Sequence, residues 1–382
     1  MQKPYTLIIP SWYPTDSNAL NGIFIEKHVR AISGFSNVVV MYITDNGPQD
    51  IKEETVSDSY VKYIHPYTKS HSRAVNQLKY IWSQKKAYDH IVRKYGKPSM
   101  LHLQVVFPAG IFVYLLLLFS SIPLIITEHW SGYTDEDGRY QRLSPILKYL
   151  IKELFKKAKK VSAVSQYLKD AIIRQNLTTT DKISIVSNIL NTPDKQDTQI
   201  NIPATKALYI GNLNDHEKNI SLLIEATGLV VKKYPDFELT LIGGGPESQK
   251  FIDLAASKDL LNKNIRFKGY IPNSELGSFY QENSFFILTS NFETFNIAAA
   301  EALLYGLPVV STMCGGPSEY INDQTGIWIR ENSPHGIAAA IIEMIERRGA
   351  FDSKAIAADM SARYGYDTIV TELKNLYNIN TN

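Results

Sequence analysis

The chain has 382 residues, 44% of them hydrophobic and 20% charged, with a formal net charge of +2. This length exceeds what one hydrophobic core fills and predicts two domains of roughly 150 to 200 residues each, while the near-neutral charge gives no general mandate to bind nucleic acid. A single cysteine, Cys314, excludes an intrachain disulfide and the Cys-rich zinc signatures, which suits a reducing cytoplasm.

At the N-terminus, "MQKPYTLIIPSWYP" carries an apolar run of only Leu7 to Ile9 before Pro10, too short for the core of an export signal. Short β-branched runs then alternate with longer amphipathic ones. "YTLIIP" reads as a strand, residues 22 to 33 as a helix, "NVVVMYI" as a strand, and residues 73 to 94 as a long polar helix. No Lys, Arg, Asp or Glu occurs between Lys97 and Glu128. Pro108, Gly110, Ser120, Ser121 and Pro123 nevertheless cut this stretch into "MLHLQVVF", "GIFVYLLLLF" and "PLIITEH", each shorter than the ~20 residues of a spanning helix, so a buried βαβ unit is expected. A helix from Ser144, "KKVSAV", a helix from Ser165 and "KISIVSN" continue the alternation, and the polar stretch Asn191 to Lys206 reads as a linker.

The rhythm then restarts with "KALYIGN", a helix from about Asn219, "FELTLIGGG", a helix from Pro246, "NIRFKGY", a short helix, "SFFILTS", a second helix, "PVVST" and "TGIWI". This predicts an α/β protein of two doubly wound, Rossmann-like domains, residues 1–190 and 204–364, with parallel sheets facing across a ligand-binding cleft.

Within "SNFETFNIAAAEALLYGLPVVST", Glu301 is the only charged residue between Glu293 and Glu319, on a helix whose neighbours are Ala and Leu. Either it reaches the surface, or a polar partner meets it in the cleft. Ser290 to Glu293 fits a capping box; alternatively the helix begins near Thr294 and Glu293 hangs over its N-terminus, beside N–H groups that attract an anion. His129 follows "PLIIT" at the end of a strand, where both a structural and a ligand-binding role are open. "GGGP" is a tight strand-to-helix turn without the G-x-G-x-x-G spacing of a dinucleotide site. "DED" at Asp135 to Asp137 looks like a metal-gripping D-x-D, but its polar loop favours a solvated turn.

From Arg139 to Lys160 there are eight Lys or Arg and one acid, Glu153. Ser144 and Pro145 open a helix with Leu147, Leu150, Ile151, Leu154, Phe155 and Ala158 on one face and Lys148, Lys152, Lys156 and Lys159 on the other. In water these lysines need no explanation; on anionic lipid each would contribute on the order of 1 kcal/mol and bring the cleft to a lipid-linked acceptor.

The two Glu separated by seven residues, followed by "EALLYGLPVVS", resemble the motif of the retaining glycosyltransferases of family 4, which have the GT-B fold. "PSWYPTDSNALNGIF", "TEHWSGY", "VSAVSQYL", "VSNILN", "LYIGNLNDHEKN", "LIGGGPE", "GGPSEYI" and "TGIWI" extend the resemblance over nearly the whole chain in the family's order. It implies that Glu301 accepts from the ribose hydroxyls of a sugar nucleotide and Glu293 from the hydroxyls of the transferred sugar, roles that suit acceptor-only carboxylates. The N–H groups of Phe295, Asn296 and Ile297, together with Lys218, would meet the diphosphate; Gly22 and Gly243 would let backbone approach the donor, Tyr270 would line its site, and His129 would touch its sugar. A Lys in a first helical turn opposes the macrodipole, which a phosphate at Lys218 would offset.

Two positions depart from the family: Asn296 stands where Gly is usual, and Asn212 where an Arg supplies a second cation. The resemblance further implies that a C-terminal helix over about residues 365 to 382, beginning within "SARYGYDTIVTELKNLYNIN", crosses back onto the first domain. The expected activity is metal-independent, retaining transfer of a hexose-type sugar from a UDP- or GDP-sugar to a hydroxyl of a glycan or lipid-linked acceptor, in the cytoplasm or on the inner membrane face. No residue reads as a covalent nucleophile. A non-transferring sugar-nucleotide enzyme such as an epimerase, a glycoside hydrolase using the Glu pair, and a silent sugar-nucleotide binding module are the alternatives.

Overall fold

The computed structural model describes residues 3–16, 18, 21–45, 52–193 and 202–378. The chain divides into two compact α/β units: one comprises the described residues through Ile189 together with those from Ile369 onward, and the other is Leu190–Thr368.

The first unit holds strands β1 (Thr6–Pro10), β2 (Val38–Thr44), β3 (Lys52–Ser57), β4 (Tyr60–Pro66), β5 (Met100–Gln104), β6 (Leu124–Glu128), β7 (Lys160–Ala163) and β8 (Ile183–Ile185). They form one sheet in the order β3-β4-β2-β1-β5-β6-β7-β8. Every pairing is parallel except that of β3 with β4. All residues of β1, β2 and β6 are buried, as continuous apolar runs covered on both faces should be. The hairpin β3–β4 lies inside residues 44 to 72, a stretch that carries no clear apolar alternation and reads as loop; its edge strand is polar and half-exposed.

Helices α1 (Ile23–Ser33), α2 (Arg73–Tyr95), α3 (Gly110–Leu116), α4 (Pro145–Lys157) and α5 (Gln166–Arg174) connect these strands. The hydroxyls of Ser144 and Ser165 accept from the N–H groups of Leu147 and Leu168 and fix the starts of α4 and α5. The uncharged stretch before Glu128 is β5, α3 and β6, and among the described residues no helix is long and apolar enough to cross a membrane.

The second unit has strands β9 (Lys206–Ile210), β10 (Glu238–Ile242), β11 (Ile265–Gly269), β12 (Phe285–Leu288), β13 (Val309–Ser311) and β14 (Gly326–Trp328), paired in parallel in the order β11-β10-β9-β12-β13-β14. Its helices are α6 (Asp215–Lys218), α7 (Ile220–Val230), α8 (Ser248–Ser257), α9 (Leu276–Gln281), α10 (Ile297–Leu304), α11 (Pro334–Arg347) and α12 (Ser353–Tyr364). Residues 194–201, the middle of the stretch read as a linker, lie outside the described residues.

The last helix, α13 (Tyr366–Leu376), buries Ile369, Leu373 and Leu376. Within the first unit, Tyr377 Oη lies 2.7 Å from His102 Nδ1, Glu372 accepts from the N–H of Ser187 at 3.2 Å, and Lys160 Nζ donates to the carbonyl of Asn375 at 2.7 Å.

Candidate functional site

In the second unit the segment after β12 carries the first glutamate. Helix α10 starts at Ile297, with Asn296 as its N-cap, whose Oδ1 accepts from Ala299 N at 2.8 Å. Ser290 is therefore no capping-box residue: its hydroxyl donates to Glu293 Oε1 at 2.7 Å, the reverse of that motif, and the helix begins three residues beyond Thr294. Glu293 hangs ahead of the helix. The same Oε1 receives Asn296 Nδ2 at 2.7 Å and Lys218 Nζ at 2.6 Å. Asn296 sits at φ 61 and ψ 92, a left-handed conformation that Asn tolerates and that turns its side chain to serve both cap and carboxylate.

Lys218 is the last residue of the one-turn α6, followed by Asn219 in the left-handed region and then α7. It thus ends one helix instead of opening the next, so the expected conflict with a macrodipole does not arise. Burial pulls its ammonium down, but the charge and hydrogen bond of Glu293 outweigh that and raise the pKa above the usual lysine value. Both side chains are largely buried, so this is a desolvated ion pair.

Glu301, in the middle of α10, is buried. Its Oε1 accepts from the backbone N–H of Asn191 at 2.8 Å and its Oε2 from the hydroxyl of Tyr280 at 3.1 Å. A cavity of about 780 Å³ lies alongside, lined by Asn191, Asn273, Tyr280 and Tyr305 among others. Gly306, at φ 77, ends α10 before Pro308.

The loop after β13 closes over this segment, a contribution the sequence motif "GGPSEYI" marks without revealing. Glu293 N donates to the carbonyl of Cys314 at 2.6 Å and Gly316 N to that of Glu293 at 2.9 Å. A Cβ on Gly316 would lie 2.1 Å from the carbonyl oxygen of Thr294, so only glycine permits this approach. The hydroxyl of Tyr320 donates to the carbonyls of Phe295 and Asn296, the latter at 3.0 Å. Burial, reinforced by the charge of Glu293, pushes the Cys314 thiol up to about 12.

Of the other predicted positions, Gly243 has φ 133, and a Cβ there would collide with the carbonyl oxygen of Gly211 at 1.8 Å. This packs the turn after β10 against the turn after β9, where Leu213 N donates to Gly244 O at 3.0 Å. Asn212 is exposed in that second turn and offers its carbonyl to Tyr209 Oη at 3.3 Å; Tyr270 is exposed after β11.

In the first unit Gly22 is the N-cap of α1 at φ 73, and a Cβ on it would sit 2.5 Å from the carbonyl oxygen of Trp12. His129, just beyond β6, is buried, with Nε2 3.0 Å from Gln104 Oε1 and its ring 4.7 Å from that of Phe24 and 5.5 Å from that of His28. Burial, then the neighbouring His28 and His102, hold its pKa well below the usual value. Beside it Glu128, fully buried, accepts from Val106 N at 2.8 Å, Tyr133 Oη at 2.9 Å and His129 N at 3.3 Å. Burial raises its pKa to about 7 against these bonds. This second buried acid was missed, although it stands in the same "TEH" as His129.

The Asp135–Asp137 turn is solvated at Asp135 and Glu136, as expected, and also braced, most firmly at Asp137. Asp137 is buried and receives Arg139 and Ser131, Glu136 accepts from Tyr167, and Asp135 faces Arg174 at 3.7 Å. Among the described residues, no group of three His, Cys, Asp or Glu is placed to hold a metal ion.

Two family models match the chain: "Glycosyl transferases group 1" over residues 191–362 and "Glycosyltransferase Family 4" over residues 33–193. A glycogen synthase of Mycobacterium tuberculosis is 30% identical over 173 residues, 44% of this chain and 41% of that protein, so the chain spans less than half of this relative's length. An uncharacterized glycosyltransferase of Methanocaldococcus jannaschii is 24% identical over 328 residues, 85% of this chain and 87% of its own. Among solved structures, a sucrose-phosphate synthase from Thermosynechococcus elongatus superposes with a TM-score of 0.78 at 18% identity, covering 98% of each chain. An Anabaena protein solved in complex with UDP and glucose gives 0.73 at 14% identity, covering 98% of this chain and 99% of its own.

Proposed function

Because the chain belongs to the glycosyltransferases of family 4, with the GT-B fold, we propose that it is a retaining, metal-independent hexosyltransferase. It moves a sugar from a UDP- or GDP-sugar to a hydroxyl of a glycan or lipid-linked acceptor in cell-surface polysaccharide synthesis, working in the cytoplasm at the inner membrane face. The observation that carries this reading is the desolvated Lys218–Glu293 pair held ahead of α10 by Ser290 and Asn296. A cation and an acceptor-only carboxylate locked side by side suit a ligand that brings both phosphate charge and sugar hydroxyls.

In this reading Lys218 and the N–H groups of Phe295, Asn296 and Ile297 stabilise the leaving diphosphate, an electrostatic role of the kind that often dominates catalysis. Glu293 orients the sugar, and Glu301 accepts from the ribose hydroxyls. Gly22, Gly243, Asn212 and Tyr270 border the donor, and His129, held neutral, donates or accepts a hydrogen bond at the sugar. The bond from the anomeric carbon to the phosphate oxygen breaks while one to the acceptor oxygen forms on the same face, and the acceptor proton passes to the departing phosphate. Lys148, Lys152, Lys156 and Lys159 rest on an anionic membrane.

Thermal-shift screening against UDP-, GDP- and ADP-sugars, followed by NMR of the product's anomeric centre, tests the reading. A shift with one donor, retained configuration and activity in chelator are expected. Inverted product or a chelator-sensitive rate refutes the mechanism, and an epimerised donor without acceptor assigns the chain to the non-transferring class.

A further inference from the structure

Helices α2, α3 and α4 each return antiparallel to strands of one parallel sheet and so run in the same direction. Gln84 Nε2 of α2 donates to the carbonyl of Ala109 at 3.3 Å, and a Cβ on Gly110 would lie 2.7 Å from Leu154 Cδ1 of α4. The start of α3 is therefore level with Gln84 on one side and Leu154 on the other. The parts of α2 before Gln84 and of α4 before Leu154 project past that start by roughly 16 and 13 Å, at about 1.5 Å per residue.

On these projecting parts large apolar side chains face outward: Leu78 is 68% exposed, Trp82 60%, Ile146 73% and Tyr149 58%. Residues 73 to 84 and 145 to 152 contain no acid, and Lys79, Lys148 and Lys152 lie among them. The ammonium of Lys86 sits 3.4 Å from the centre of the Trp82 ring. Acids elsewhere in this unit are engaged, with Glu153 3.8 Å from Lys156, Asp89 2.5 Å from Lys85, Asp45 paired with Lys69, and the carboxylates of the Asp135–Asp137 turn bonded to Arg174, Tyr167 and Arg139.

Helix starts with cations and no acids run against the macrodipole preference, a cost that an anionic surface offsets. Outward Leu and Ile with Trp and Tyr beside lysines is the composition of a helix that lies in a membrane interface. We infer that the first unit docks by inserting these side chains of α2 and α4 into an anionic lipid bilayer, so that the lysines supplement an apolar anchor instead of acting alone. The inference rests on the membrane contact proposed above and adds the inserted residues.

The full chain is sedimented with phosphatidylcholine vesicles and with vesicles containing phosphatidylglycerol, at low and high salt. The wild-type protein is expected to bind the anionic vesicles, to keep part of that binding at high salt, and to show a blue shift of tryptophan emission that Trp82→Phe removes. Leu78→Ser with Ile146→Ser should lower partitioning by about tenfold or more at both salt levels, with an unchanged melting temperature showing that the fold survives. Lys148→Glu with Lys152→Glu should matter at low salt only. A serine variant that binds like wild type, with no Trp82-dependent shift, overturns the insertion while leaving the lysine contact standing. No binding to either vesicle overturns both. A self-association in sedimentation velocity that the serine variant abolishes would instead make this face a contact between copies and also overturn the inference.

Discussion

In the first unit burial shifts His28, His102, His129 and Glu128 toward their uncharged forms, whereas the second keeps an ion pair just ahead of α10. Burial drives His28 down to about 4 and His102 to about 3, holds His129 well below its usual value, and lifts Glu128 to about 7. Their partners are neutral: the carbonyl of Ser187 for His28, the hydroxyls of Tyr377 and Thr127 for His102, and backbone N–H groups with Tyr133 for Glu128. Lys218 and Glu293 are desolvated too, yet they stand as an ion pair at 2.6 Å in which the carboxylate raises the pKa of the lysine. A neutral buried network rigidifies and asks for nothing more. A buried ion pair is weak in stability but can exchange partners when a ligand supplies matching charge, which is where a binding site is expected.

The severest way to break this contrast is Lys218→Met. Stripping Glu293 of its counter-ion should cost about 3–5 kcal/mol in urea unfolding and abolish measurable transfer, while Lys218→Met with Glu293→Gln should regain most of the stability. A single-variant cost under about 1 kcal/mol would place the pair with solvated surface bridges and dissolve the distinction.

Acid titration comes next. His28 titrates at about 4 when folded against an ordinary 6.5, so its stabilisation is fully present above pH 6.5 and is lost as pH falls through the folded value, on the order of 3 kcal/mol in all. Glu128 has the opposite sign: its folded value of about 7 against 4.5 imposes no cost at low pH and a growing one as pH rises from 4.5 through 7. Urea midpoints of wild type and His28→Gln between pH 4 and 7.5 should differ in slope below pH 6.5, and parallel curves would mean that the imidazole is not held neutral.

Glu301→Ala should cost about 1–3 kcal/mol by orphaning Asn191 N–H and leaving Tyr280 Oη with its 3.3 Å bond to the carbonyl of Ala298, and should erase the thermal shift given by nucleotide sugars. Lost stability with the shift intact would class Glu301 with Glu128, as an acid satisfied by its own chain. The smallest effect is expected of Asn296→Gly, which relieves the left-handed backbone but removes the cap and one donor to Glu293, a net change within about 1 kcal/mol. A change of kcat/KM beyond a few fold would show that the Asn296 amide matters to the sugar directly.

Most of the strands were legible, because continuous apolar runs such as "NVVVMYI" and "SFFILTS" have few alternatives to buried parallel strands. The hairpin β3–β4 was not, since "KEETVS" is an edge strand whose pairing comes from a neighbour and leaves little apolar pattern. Glu293 and Glu301 stood out as acids in an apolar stretch, but beyond the local Ser290 and Asn296 their partners lie far along the chain, at Lys218, Asn191 and Tyr280, and no local rule names these. Lys218 was assigned the wrong helix end because a single turn ahead of Asn219 is too short to show periodicity. The outward Ile146 and Tyr149 escaped notice because a helix read for its inner stripe and its lysines leaves such residues unassigned.

The helix α13 carries a consequence for biosynthesis. Its Leu373 is fully buried and its neighbour Tyr377 meets His102 in the unit that is made first. As the ribosome works from the N-terminus, that unit emerges early with an open flank and must wait, through the translation of everything from Leu190 to Thr368, for the final turn that closes it. A nascent chain stalled before Tyr366 should therefore bind chaperones through the half translated first.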